Sequence, residues 1–203
     1  NDLISFAVVL GSSNVIDGAA GNDTLLFSSS VDSASLLGGA GVDSFSFGST
    51  LTDTTVNAGD GADTLTLKVN VTSSLVSMDA GSDVLVFATS TTLTNSSVYG
   101  GSGGDTLSFL GTMSPGTTID AGADADSLYF SNVATSTSIY GGAGDDSLQF
   151  VSSITAVYAS LDGGADSISM TAGVYNTSIY GGDGEDPLHF GNTITNAWIS
   201  TDA

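Results

Sequence analysis

Gly141-Gly142-Ala143-Gly144-Asp145-Asp146-Ser147-Leu148-Gln149-Phe150 packs a glycine-rich turn, an aspartate and an alternating apolar stretch into one short run. The second half of that run, Asp–small–aliphatic–variable–aromatic, recurs along the whole chain. Its aspartates are Asp2, Asp23, Asp43, Asp63, Asp83, Asp105, Asp126, Asp146, Asp166 and Asp186, at successive spacings of 21, 20, 20, 20, 22, 21, 20, 20 and 20 residues. A fixed period of this length marks a stack of supersecondary units, each unable to bury its apolar side chains alone.

Two columns follow each aspartate. The aliphatic one runs Ile4, Leu25, Phe45, Leu65, Leu85, Leu107, Leu128, Leu148, Ile168, Leu188; the aromatic one runs Phe6, Phe27, Phe47, Leu67, Phe87, Phe109, Phe130, Phe150, Met170, Phe190. Period-two alternation with one apolar face is a half-buried strand. A second strand precedes the glycine turn, with Ile16, Leu36, Val56, Val98, Ile119, Ile139 and Ile179 inward. A third apolar column falls in the Ser/Thr-rich stretch: Leu10, Val31, Leu51, Val71, Leu93, Met113, Val133, Ile154, Val174 and Ile194. Each coil thus offers four inward positions. The fold class expected is all-β: a right-handed parallel β-solenoid (β-roll or β-helix) of about ten coils with a 20-residue period, roughly 48 Å long at one strand spacing per coil. Residues 1–203 form a single segment. The chain starts inside one motif and stops inside another, at Ser200-Thr201-Asp202-Ala203, so it is expected to be cut from a longer protein.

Composition narrows the function. There are 22 acidic residues, one lysine (Lys68), no arginine and one histidine (His189), for a formal charge of −21. Phosphate contacts need Lys and Arg, so a nucleic-acid partner is excluded, and anionic lipid is disfavoured. No apolar run approaches a membrane span. With 40% hydrophobic residues the chain can bury a core, so the carboxylates call for a bound cation. Lacking cysteine, it has neither disulfides nor thiolate metal sites.

The cation is expected in the turns. The clearest are Gly38-Gly39-Ala40-Gly41-Val42-Asp43, Gly100-Gly101-Ser102-Gly103-Gly104-Asp105, Gly141 to Asp146, and Gly181-Gly182-Asp183-Gly184-Glu185-Asp186. Glycine allows positive φ and close backbone approach, and calcium takes six to eight oxygens from carboxylates and carbonyls. Stacked aspartates about 4.8 Å apart would repel by roughly 3.5 kcal/mol per pair at an effective dielectric of 20. Candidate metal-site residues are Asp23, Asp43, Asp63, Asp105, Asp126, Asp146 and Asp186 with the turn glycines Gly21, Gly38, Gly39, Gly41, Gly61, Gly100, Gly101, Gly103, Gly141, Gly142, Gly144, Gly181, Gly182 and Gly184. The turns before Asp83 and Asp166 read as two residues shorter and are expected to bind fewer ions or none. In the turn before Asp126, an aspartate, Asp124, stands where its neighbours have glycine.

These turns resemble the calcium-binding nonapeptide Gly-Gly-x-Gly-x-Asp-x-aliphatic-x of the RTX (haemolysin-type) family. The Ser/Thr-rich, lysine-poor style is similar to haemolysin-like surface proteins of cyanobacteria. The resemblance implies calcium as cofactor, type I secretion with a signal beyond this segment, and a place on the cell surface, as in surface-layer proteins, adhesins or motility-associated proteins. RTX rolls resemble two nonapeptides per coil; here only one edge carries the glycine turn, so one row of ions is expected. The expected partners are neighbouring segments of the same chain, with self-assembly or a cell-surface polysaccharide beyond them. An enzyme is not expected, since a uronate-processing site needs a base and neutralising cations that the chain lacks. The alternatives are an RTX module of a secreted polysaccharide-processing enzyme and a calcium-dependent ice- or surface-binding solenoid, for which the outer Ser/Thr faces look mixed.

Overall fold

A computed structural model describes residues 1–12 and 14–201; Asp202 and Ala203, part of the last partial motif, lie outside the described residues. The chain coils through three parallel sheets. The first has ten strands, Leu3–Phe6 through Leu188–Phe190, each following a repeat aspartate. The second has nine short strands from Val31–Asp32 to Ile194–Thr195, and the third ten strands from Val15–Asp17 to Trp198–Ser200, leading into the glycine turns. No strand neighbours its sequence neighbour within a sheet; each pairs with its counterpart one coil away, as Thr24–Phe27 pairs with Ser44–Phe47.

Register sets the columns. Leu25, Phe45 and Leu65 stack, as do Phe27, Phe47 and Leu67. Phenylalanine rings run parallel along the axis: Phe109 to Phe130 is 4.9 Å between centroids and Phe130 to Phe150 is 4.7 Å, with interplanar angles of 6° and 17°. Such offset-stacked pairs contribute about 0.5–1.5 kcal/mol each beyond the area they bury. Leu67 and Met170 interrupt the aromatic column without opening it, both being buried.

The core is wider than four columns. In one coil Asp43, Phe45, Phe47, Leu51, Thr54, Val56 and Ala58 are all buried, because the corners between sheets also turn a side chain inward. Val76, Ala159 and Ile199 complete the inward column of the third sheet. One assignment in the second sheet is corrected. Val133 is 41% exposed and Ala134 is buried, paired with Met113 and Ile154. The four-residue step from the aromatic column (Phe47 to Leu51, Phe109 to Met113) fixes the inward place, so the backbone selects the smaller side chain.

The coils longer than 20 residues carry their additions away from the glycine turn. The 22-residue coil bulges at Thr89-Ser90, and the coil between Asp105 and Asp126 has its extra residue around Pro115-Gly116. The aspartate register is untouched. At the corner between the second and third sheets a left-handed residue recurs, including Asp53, Ser73, Asn95 and Asn176 at φ +47 to +51. Short polar side chains tolerate that conformation better than most.

Candidate metal centre

The turn joining the third sheet to the first has six positions that superpose coil on coil. Gly38, Gly100, Gly141 and Gly181 stand first; Gly39, Gly101, Gly142 and Gly182 second; Gly21, Gly41, Gly61, Gly103, Gly144 and Gly184 fourth; the aspartates sixth. The second and fourth positions favour glycine for a concrete reason. Gly39 has φ +108, and a Cβ there would lie 1.9 Å from the Ala19 carbonyl oxygen; Gly41 has φ +133, with the Gly21 carbonyl oxygen at 2.1 Å. The carbonyls of one coil therefore crowd against the turn of the next.

The turns before Asp83 and Asp166 are not shorter than the others, contrary to the sequence reading. Ala80 bridges to Asp60 and Ser102, and Gly163 to Ala143 and Asp183, so Met78-Asp79-Ala80-Gly81 and Leu161-Asp162-Gly163-Gly164 fill the same places as the glycine pairs. Only the first two residues differ. Asp79 and Asp162 adopt φ +67 and +61, as Ala19 does at +70, where the remaining turns have glycine. Asp124, at φ +78, takes the fourth glycine's place as the sequence indicated, and its Oδ2 accepts from Gly103 N at 3.1 Å.

All the candidate aspartates enter one ladder, together with Asp83 and Asp166, which sequence reasoning left out. They point inward rather than to the rim: from Asp23 through Asp166 each is at most 3% exposed. Each Oδ1 accepts the backbone N–H of the preceding coil's aspartate: Asp23 N to Asp43 Oδ1 at 2.7 Å, Asp43 N to Asp63 Oδ1 at 2.7 Å, Asp105 N to Asp126 Oδ1 at 2.7 Å, Asp126 N to Asp146 Oδ1 at 2.8 Å. Asp83 and Asp166 do the same for Asp63 and Asp146. The other oxygen, Oδ2, has no hydrogen-bond partner in any of the nine from Asp23 to Asp186 and is shielded from solvent. A buried polar atom with no partner is costly, and a charged one more so.

A second ladder, on another corner of the coil, supplies a control within the molecule. Thr54, Ser74 and Ser96 are buried in register, and each hydroxyl accepts the amide of the coil before, as Ser74 Oγ does from Thr54 N at 3.2 Å. The same hydroxyls donate to carbonyls two residues back, Thr54 to Thr52 at 2.8 Å and Ser96 to Thr94 at 2.8 Å. Amide capping alone is thus met by a hydroxyl that leaves nothing unsatisfied. Aspartate in the glycine corner leaves one oxygen over per coil, and that surplus needs a cation or a proton.

Burial pushes these carboxyls up, and nearby carboxylates, of the row or, for Asp105, Asp124 of the next turn, add to it. Asp83 and Asp126 rise to about 7 and Asp105 and Asp146 to about 6, while Asp43, Asp63 and Asp166 shift in the same direction; the amide each Oδ1 accepts pulls the other way. Among the described residues no three acidic or histidine side chains converge on one point. A hard cation at this corner must therefore take main-chain carbonyls alongside the Oδ2 atoms, which calcium does readily. The crowded carbonyls and the spare carboxylate oxygens are the donor set it requires. Only one such carboxylate row exists among the described residues.

A family model described as RTX calcium-binding nonapeptide repeat (4 copies) matches residues 10–32 and 138–149. These stretches contain the turns ending at Asp23 and Asp146. No curated protein and no solved structure matches the chain.

Proposed function

For a chain that carries RTX calcium-binding repeats, we propose that the solenoid is a calcium-stiffened structural segment of an exported cell-surface protein, and not a catalyst. The observation that carries this reading is the row of nine buried, unpartnered Oδ2 atoms in a chain of formal charge −21. Asp23, Asp43, Asp63, Asp83, Asp105, Asp126, Asp146, Asp166 and Asp186 would hold the ions, with carbonyls of the glycine turns. Calcium supplies positive charge between carboxylates that would otherwise repel along the whole stack. The chain's own residues do the rest: Oδ1 fixes each carboxylate on the amide below, and the glycines let the carbonyls approach.

Dependence of this kind suits export. A row of like charges cannot close at neutral pH where free calcium is scarce, so the chain stays open for passage through a type I secretion channel and coils outside. The remaining carboxylates, such as Asp60, Asp145 and Asp183, lie on exposed positions, where calcium could also join neighbouring molecules in a surface array. Fractionation of native cells tests both parts. The full-length protein is expected at the cell surface or in the medium, and a calcium chelator is expected to strip it from the cells. Folded protein confined to the cytoplasm, or attachment indifferent to chelation, would contradict the proposal.

A further inference from the structure

The outer face of the third sheet carries a feature that the calcium row does not explain. Tyr140, Ser160 and Tyr180 occupy one column on successive coils, and Tyr158 lies two residues before Ser160 on the same face. The three rings are contiguous: Tyr140 to Tyr158 is 5.8 Å between centroids at 50°, and Tyr158 to Tyr180 is 5.6 Å at 42°. They shelter Ser160, which is only 7% exposed although its column faces outward. Tyr158 itself remains 39% exposed, and no segment of the chain lies over the strip among the described residues.

Carboxylates border these rings. Asp162 follows Ser160 at the corner, exposed, with Oδ1 accepting the Ser160 hydroxyl at 2.5 Å. Asp120 stands next to Tyr140 in the column. The chain's one lysine, Lys68, lies coils away, directly after the first sheet's strand Thr64–Leu67. An exposed aromatic strip edged by uncompensated carboxylates, in a strongly acidic chain, is complementary to a cation that can lie on ring faces. Calcium is not that cation, since it seeks six or more oxygens. A primary ammonium is strongly hydrated, whereas a methylated one loses little water on meeting a ring.

We propose that Tyr140, Tyr158 and Tyr180 with Asp162 and Asp120 form a binding strip for a small soluble quaternary ammonium compound, held by cation–π contact and the carboxylate edge. The rings lie on the outer face of the sheet, away from the inward carboxylate row, although Asp162 itself stands in the turn before Asp166.

Choline titrated into the folded, calcium-saturated protein, followed by the tyrosine ring signals in NMR, tests it. Saturable shifts in the millimolar range are expected at Tyr140, Tyr158 and Tyr180. Tyr158→Ser places at that position the residue its register neighbours Ser138 and Ser178 already have, and should weaken binding about two- to fivefold, as expected for an exposed cation–π contact. Asp162→Asn keeps the left-handed corner and the Ser160 bond and should weaken choline binding comparably, without altering the circular dichroism; it decides the matter if the tyrosine variant fails to fold. Absence of any choline shift, or shifts untouched by Asp162→Asn, would overturn the proposal. So would co-sedimentation with phosphatidylcholine vesicles or binding of a neutral oligosaccharide in the absence of choline binding.

Discussion

At neutral pH in excess chelator, the chain is expected to give a coil-like far-UV circular dichroism spectrum, and millimolar calcium to convert it to a β-rich one. The magnitude follows from the geometry. Adjacent carboxylates in the row repel by roughly 3.5 kcal/mol per pair at one strand spacing and an effective dielectric of 20. Eight such neighbouring pairs link the nine aspartates with unpartnered oxygens, and a domain's whole net stability is about 5–15 kcal/mol. The hydrophobic ladders cannot offset a fully charged row, because they too must overcome the entropy of ordering the chain. A β-rich spectrum indifferent to chelation at pH 7.5 would mean that the surplus oxygens are satisfied in another way.

Protons are expected to stand in for calcium, which gives the second large effect. The ladder carboxyls have their folded-state values raised, to about 7 for Asp83 and Asp126 and about 6 for Asp105 and Asp146. A raised carboxyl is one that the folded state protonates more readily than the unfolded chain does. Between the ordinary aspartate value near 4 and about 7, the folded state therefore holds more protons, and stability falls as pH rises. The contribution is complete below about 4 and gone above about 7. Calcium-free protein should accordingly be coiled and β-rich at pH 4.5 and unfold as pH is raised through 6 to 7.5. With calcium present that loss should vanish, since the ion favours the charged form. Chelated protein whose melting temperature is the same at pH 4.5 and 7.5, or lower at pH 4.5, would contradict the burial of an uncompensated row.

Much of this architecture is legible in the sequence, because period and alternation are strong signals when ten copies repeat them. The aspartate, aliphatic and aromatic columns needed only counting. Where reading failed, one coil had to be compared in space with the next. Val133 outranks Ala134 on hydrophobicity, yet the four-residue step from Phe130 puts Ala134 inside. Met78-Asp79 and Leu161-Asp162 look like truncated turns because they lack the glycine pair. The fourth-position glycines, Gly81 and Gly164, were the available sign that those turns are whole, and that Asp83 and Asp166 belong to the ladder. The inward Thr54–Ser74–Ser96 column was invisible, since Ser and Thr fill the outward positions of the same stretch as well. Its role, capping the amide of the coil below, exists only once the coils are stacked.

The inward turn of the aspartates is the other thing sequence could not supply. A glycine-rich turn ending in aspartate is compatible with a carboxylate on the rim or in the corner. What places it inside is the unpaired amide of the coil before, which Oδ1 reaches at 2.7 to 3.0 Å from Asp43 to Asp186. That bond fixes which oxygen is left over.

Anomalous diffraction from crystals grown in calcium, recorded where calcium scatters anomalously, tests the central claim most directly. A single file of peaks is expected along the glycine corner, each within calcium–oxygen distance, about 2.3–2.6 Å, of an Oδ2 atom of the row, the turns ending at Asp83 and Asp166 included. Peaks confined to exposed carboxylates such as Asp60, Asp145 and Asp183, with the inner row touching no ion, would contradict it.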